Sequence, residues 1–176
     1  MIIVDNVIQD VPILEKFADR DLWVQFDDDT TLDKSRKIVS TNLDPGSELK
    51  DIWEFLVFAL YDNPFLDLHG YGATEIEYWG NVLREKAELE WHQDKREDIY
   101  QETGETILPK QGVIWYGYPH KVWGGYLEVK HKYEYWEDIE RVEPVYNRAV
   151  VFDPSDWHRV DRILGGERYG FQLNLW

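Results

Sequence analysis

From Ala73 to Trp176 the sequence breaks into short apolar or alternating runs, and that rhythm restricts the fold more than any other feature. The runs are 74–79, 88–92, 113–118, 126–129, 148–152, 158–163 and 168–175. Gly112, Pro119, Gly124-Gly125, Pro144, Pro154 and Gly165-Gly166 punctuate them. Many short strands closed by tight turns suit a double-sheet jelly roll. The first third reads differently. Residues 2–4 suit a short strand, and 11–19 have helical spacing with Asp10 as N-cap and Pro12 in the first turn. Residues 22–26 alternate like a strand, and Asp27-Asp28-Asp29 reads as a solvated turn. A second helix is expected over 47–61, capped by Ser47, with a stripe of Leu49, Ile52, Trp53, Leu56, Val57 and Leu60. Asn63-Pro64 ends it. The expected fold class is mainly β with flanking helices. It forms one domain over 1–176, with 1–72 as mixed α/β support and 73–176 as the barrel.

A chain of 176 residues can bury a core, and an aromatic content of 15% supplies large rings for it. The formal net charge of −16 disfavours nucleic-acid backbones and anionic membranes as partners. A basic peptide or a small molecule is the easier partner. The chain has no cysteine, so disulfides and thiolate metal sites are excluded. The start Met1-Ile2-Ile3-Val4-Asp5 lacks the basic and apolar parts of a signal peptide, and the longest apolar run, 55–61, is too short to span a bilayer. These features predict a soluble, cytoplasmic protein. Composition leaves the oligomeric state open.

Chemistry concentrates in His92-Gln93-Asp94, in His158, and in Arg168 ten residues further on. On a strand, residues i and i+2 share a face, so His92 and Asp94 can hold one metal from one side. Trp91 and Gln93 then face away. His158 opens the strand after the turn 153–156 and completes a two-imidazole, one-carboxylate set. That set suits Fe(II), and also fits Mn, Co or Zn. It leaves positions open for a co-substrate and dioxygen. Arg168 shares a strand face with Gly170, Gln172 and Asn174, opposite Tyr169, Phe171, Leu173 and Leu175. An inward arginine needs an anion, and the far carboxylate of a dicarboxylate would suit it. Arg162 has the parity of His158 and is a rival, whereas Arg159 alternates away. Trp91, Tyr116, Tyr118, Trp123 and Trp157 border the site and can pack the barrel or stack on a flat ligand. The charged stretch 95–111 follows the His-x-Asp pair and reads as a lid or a surface loop.

Together these segments resemble the iron- and 2-oxoglutarate-dependent dioxygenases, in particular their prolyl 4-hydroxylase-like branch. The resemblance rests on Trp91-His92-Gln93-Asp94, Gly112-Val113-Ile114-Trp115-Tyr116, Gly124-Gly125-Tyr126-Leu127-Glu128-Val129, the stretch 144–152, His158-Arg159-Val160 and Gly166-Glu167-Arg168-Tyr169. It implies a double-stranded β-helix, a cupin-like form of jelly roll. It implies His92, Asp94 and His158 as catalytic iron ligands, and Arg168 as the anchor of 2-oxoglutarate, with Tyr116 donating to the same carboxylate. The implied activity is an Fe(II)- and dioxygen-dependent hydroxylation of a peptidyl, for example prolyl, or small-molecule substrate. Two other classes are carried beside it. One is a non-catalytic cupin-like metal or ligand binder. The other is a hydrolytic or isomerase-type metal cupin with a further ligand such as His120 or His69.

Overall fold

The computed structural model describes residues 1–32, 36–42, 49, 51–131 and 138–176. In chain order the elements are β1 (Ile2–Val4), α1 (Val11–Phe17), α2 (Arg20–Leu32), β2 (Lys37–Ser40), α3 (Ile52–Tyr61), β3 (Glu75–Arg84), β4 (Leu89–His92) and α4 (Glu97–Thr103). They continue as β5 (Gln111–Trp115), β6 (Val122–Gly124), β7 (Leu127–Lys130), β8 (Ile139–Val142), β9 (Ala149–Phe152), β10 (Trp157–Val160) and β11 (Ile163–Leu175). Among the described residues they build two antiparallel sheets. The larger has the order β1-β9-β5-β11-β3-β2, with β6 added to β11, and the smaller has the order β4-β10-β7-β8. This is the expected jelly roll, mainly β with helices outside. Two strands from the first seventy residues, β1 and β2, are part of the larger sheet.

Strand parity sorts the side chains of β11. Tyr169, Phe171, Leu173 and Leu175 join the helix-side core with Ile76 and Tyr78, while Arg168, Gln172 and Asn174 take the other face, towards the smaller sheet. Ile114, Tyr116, Leu127, Val129, Val142, Val150 and Phe152 form a second buried cluster between the sheets. On the helix side Phe26 stacks on Trp53 with ring centroids 3.9 Å apart, and Phe17 and Trp23 meet Trp53 edge-on at 5.0 and 5.3 Å. A Cβ on Gly80 would lie 2.6 Å from Phe26 Cδ1. Gly80→Ala is therefore expected to overpack this cluster and cost about 1–3 kcal/mol in denaturant unfolding.

Helix α1 begins as its sequence predicts, with Asp10 Oδ1 accepting from Ile13 N at 3.2 Å and proline in the first turn. The strand expected over 22–26 and the turn at Asp27-Asp28-Asp29 are instead one helix, α2. The buried residues there are Trp23 and Phe26, three apart, which is helical spacing. Asp27 Oδ1 accepts from Val82 N at 3.1 Å and docks the helix on β3. Helix α3 starts at Ile52, where Asp51 Oδ1 accepts from Trp53 N and Glu54 N, both at 2.9 Å. Ser47, the expected cap, lies outside the described residues. The glycine turn expected at Gly165-Gly166 lies within β11, which continues through it paired with β6. Gly166 has φ +82°, and a Cβ there would sit 2.3 Å from Lys121 O, so only glycine lets the strand bend past β6. None of the helices among the described residues is long and apolar enough to cross a membrane.

Candidate metal centre

His92 is the last residue of β4, and antiparallel pairing sets it opposite His158 of β10. Asp94 lies two residues beyond His92, held by donation from its backbone N to Pro154 O at 3.0 Å. The ligand atoms of His92, Asp94 and His158 all lie within 4.8 Å of one another. His92 Nε2 is 3.9 Å from Asp94 Oδ1, and His158 Nε2 is 3.9 Å from Asp94 Oδ2. Asp94 and His158 are buried, whereas His92 is half-exposed.

The tautomer of each imidazole follows from its neighbours. His92 Nδ1 is 2.6 Å from Glu90 O, and His158 Nδ1 is 3.0 Å from Asp156 O. A carbonyl can only accept, so both Nδ1 atoms donate, and Nε2 is the atom each ring turns to the shared centre, with a free lone pair whenever the ring is neutral. Burial pushes His158 below the ordinary histidine range; the Asp94 charge opposes this and His92 adds to it. The neutral, metal-binding form of His158 thus persists to lower pH. From β11, Asn174 Nδ2 donates to Asp94 Oδ2 at 3.0 Å and orients the carboxylate.

Arg168 lies on the same face of β11 as Asn174 and is fully buried. Its Nε donates to Gly125 O at 3.0 Å and its Nη2 to Tyr116 OH at 3.2 Å, but its Nη1 is buried without a hydrogen-bond partner. Its hydrogen-bond partners among the described residues are a carbonyl and a hydroxyl and include no carboxylate, although a buried guanidinium without an anion is costly. Gly125 makes room for it. Its φ of +70° favours glycine, and a Cβ there would stand 2.4 Å from Ile163 Cδ1 and 3.1 Å from Arg168 Cδ. Tyr116 is also fully buried, with its hydroxyl turned to Arg168.

The rival residues lie elsewhere. Arg159 pairs with Glu128 at 2.7 Å over the ring of Trp91, and Arg162 is exposed. His69 pairs with Asp62 at 3.0 Å, and His120 Nε2 faces Pro144 O at 3.2 Å. Neither belongs to the cluster of possible ligands found among the described residues. Tyr118 packs on Tyr169 in the helix-side core, while Trp123 and Trp157 are 78% and 44% exposed. The stretch 95–111 carries helix α4, which buries no residue. Arg96 ties its base, donating from N to Ile107 O at 2.9 Å and pairing with Glu75 at 2.9 Å and Asp98 at 2.8 Å.

Sequence reasoning put Asn174 on the face of Arg168 but gave it no role, although that parity was the available signal. The carbonyls of Glu90, Asp156 and Gly125 left no signal, because every residue has one.

Residues 78–176, more than half of the chain, match the profile of the 2OG-Fe(II) oxygenase superfamily. The fold is similar to that of a Pseudomonas putida prolyl-4-hydroxylase, with TM-score 0.52 and 18% identity over 98% of this chain and 85% of that one. It is also similar to a prolyl hydroxylase from Trichoplax adhaerens, solved with a hypoxia inducible factor oxygen degradation domain peptide fragment, with TM-score 0.55 and 16% identity over 99% and 82%. An oxidoreductase of the 2OG-Fe(II) oxygenase family from Burkholderia pseudomallei gives TM-score 0.54 and 16% identity over 79% and 65%. No curated protein matches by sequence. Two imidazoles and one carboxylate are a donor set that suits non-haem Fe(II). With that donor set on a jelly roll, and with the family profile covering every ligand, the chain belongs to the 2OG-Fe(II) oxygenase superfamily, whose enzymes use Fe(II) and 2-oxoglutarate.

Proposed function

We propose that the protein is a hydroxylase that oxidises a peptidyl, for example prolyl, or small-molecule substrate. The observation that carries this reading is the pairing of one open metal site with one buried, anion-seeking arginine in the same barrel. His92, Asp94 and His158 would hold Fe(II), and Arg168 with Tyr116 would hold the distal carboxylate of 2-oxoglutarate. When bound, the metal and co-substrate supply the oxidising power: dioxygen gives one atom to the substrate as hydroxyl and one to succinate, with release of CO2. The protein's own contribution is positional. Asp94 supplies the negative charge that retains the cation, the Glu90 and Asp156 carbonyls hold each Nδ1–H so that Nε2 is the atom turned to the metal, and Arg168 sets the co-substrate's direction. A peptide substrate is supported by the bound peptide of the Trichoplax enzyme, and a basic one by the net charge of −16. The same charge argues against nucleic acid, and the cysteine-free composition suits a reducing, cytoplasmic setting.

The test is to add 2-oxoglutarate to the anaerobic Fe(II) protein and record the visible spectrum. A charge-transfer band that Asp94→Ala abolishes supports the reading. Iron uptake without such a band sinks it in favour of a cupin-like binder. Tyr116→Phe keeps the ring and removes the hydroxyl, so it is expected to raise the 2-oxoglutarate KM by about 3–10-fold at unchanged Fe(II) affinity, as for the loss of one hydrogen bond.

A further inference from the structure

We propose that His131 is a positioning residue for the metal centre, acting through Asp156 on the turn that orders the ligands. The proposal rests on the reading of His92, Asp94 and His158 as the metal site. Its starting point is the turn 153–156, which links β9 to β10. Three successive carbonyls of this turn serve the ligand segments. Pro154 O accepts from Asp94 N at 3.0 Å, Ser155 O accepts from Gln93 Nε2, and Asp156 O accepts from His158 Nδ1 at 3.0 Å. Gln93, which faces away from the metal, thus helps to place the pair it separates. A shift of this turn would move Asp94 and rotate His158 together. The turn is braced internally by Ser155 N donating to Asp153 Oδ1 at 2.8 Å and Asp156 N donating to Asp153 O at 3.0 Å.

His131 ties this turn to the neighbouring strand. Trp157 is opposite Lys130 in the β10–β7 register, so the next pair outward is Asp156 with His131. The Asp156 side chain is buried, and its Oδ2 is 2.9 Å from His131 Nδ1. His131 Nε2 lies 3.1 Å from Glu140 Oε2, on β8. Ionised carboxylates only accept, so the ring bridges Asp156 and Glu140 through both nitrogens when it is protonated, as a cation between two anions. Charge-assisted bonds of this kind are shorter and stronger than neutral ones. The clamp therefore spans β8, β7 and the turn, across the smaller sheet, without touching the metal position.

Mn(II) is the probe, followed by the loss of its free EPR signal as protein is added, beside the thermal unfolding of the metal-free protein. His131→Asn places an amide nitrogen near the Nδ1 position and retains a donor to Asp156. His131→Gln places it near the Nε2 position, facing Glu140 instead. We expect His131→Gln and His131→Leu to weaken Mn(II) binding about tenfold or more, the scale of lost outer contacts at metal sites. His131→Asn is expected to stay within about threefold of wild type, although all variants unfold cooperatively without metal. Equal Mn(II) affinity of the Asn and Gln variants overturns the proposal, even if the Leu variant fails to fold. Wild-type protein that takes up no Mn(II), or takes it up equally well with Asp94→Ala, overturns the metal-site reading and the proposal with it.

Discussion

Replacing Asp94 by alanine is expected to abolish Fe(II)-dependent turnover and to weaken metal binding by at least about 100-fold, because loss of even an outer contact costs about 10–100-fold. Asp94 is the sole anion among the three clustered ligands. Without it the site offers two neutral imidazoles and no charge to offset the dehydration of a divalent cation. The substitution also strands Asn174 Nδ2, a buried donor that now reaches Asp94 Oδ2 at 3.0 Å. Calorimetric titration of the metal separates this from a folding defect, since the metal-free variant should still unfold in one cooperative step. Full activity in Asp94→Ala would remove the proposed triad.

Arg168→Met should push stability and function in opposite directions. Arg168 is fully buried, holds only Gly125 O and Tyr116 OH, and has one nitrogen with no partner. It is a desolvated charge whose hydrogen-bond partners among the described residues include no anion. Replacing buried charge by an apolar side chain of similar length often stabilises by about 1–4 kcal/mol. The metal-free, co-substrate-free variant should therefore melt higher, by about 2–4 °C for each kcal/mol gained. Removing one partner of a buried ion pair costs about 3–5 kcal/mol, so the 2-oxoglutarate KM should rise by about 100–1,000-fold while Mn(II) affinity stays within a factor of a few. A lower melting temperature with unchanged KM would show that Arg168 is structural. Excess 2-oxoglutarate should raise the melting temperature of the wild type and leave that of Arg168→Met unmoved.

Part of the candidate site was legible because strand parity is a strong code. Arg168 and Asn174 sit six apart on β11 and share its face, whereas Asp94 lies two residues past the end of β4 and is held beside His92 by its bond to Pro154 O. Residues 22–26 misled because Leu22, Val24 and Phe26 alternate while the burial follows Trp23 and Phe26. Which hydrophobics face inward was decided by Phe17 and by Trp53 and Trp115, the last two distant in sequence, which pack around Trp23. Strands β2, β6 and β8 left no pattern. They are three or four residues long, and only Val39 of β2 and Val142 of β8 are buried. Such short edge segments are held by ladder hydrogen bonds, which any side chain permits. The clamp at His131 was equally silent, since a lone histidine beside a lysine says nothing until β7 is laid against β10.

β11 occupies the middle of the larger sheet, between β5 and β3, yet of the described strands it is the last in chain order. During synthesis, six partners of that sheet emerge before the strand that joins them. Until it arrives, the nascent chain carries two open edges, on β5 and on β3, both able to pair with another molecule. Arg168 and Asn174 arrive with the same strand. Without β11 the chain can neither join β5 to β3 nor place Arg168 and Asn174, and a chain released before β11 is expected to be prone to aggregate. Insertion of β11 is then one event that covers both edges and sets Asn174 against Asp94.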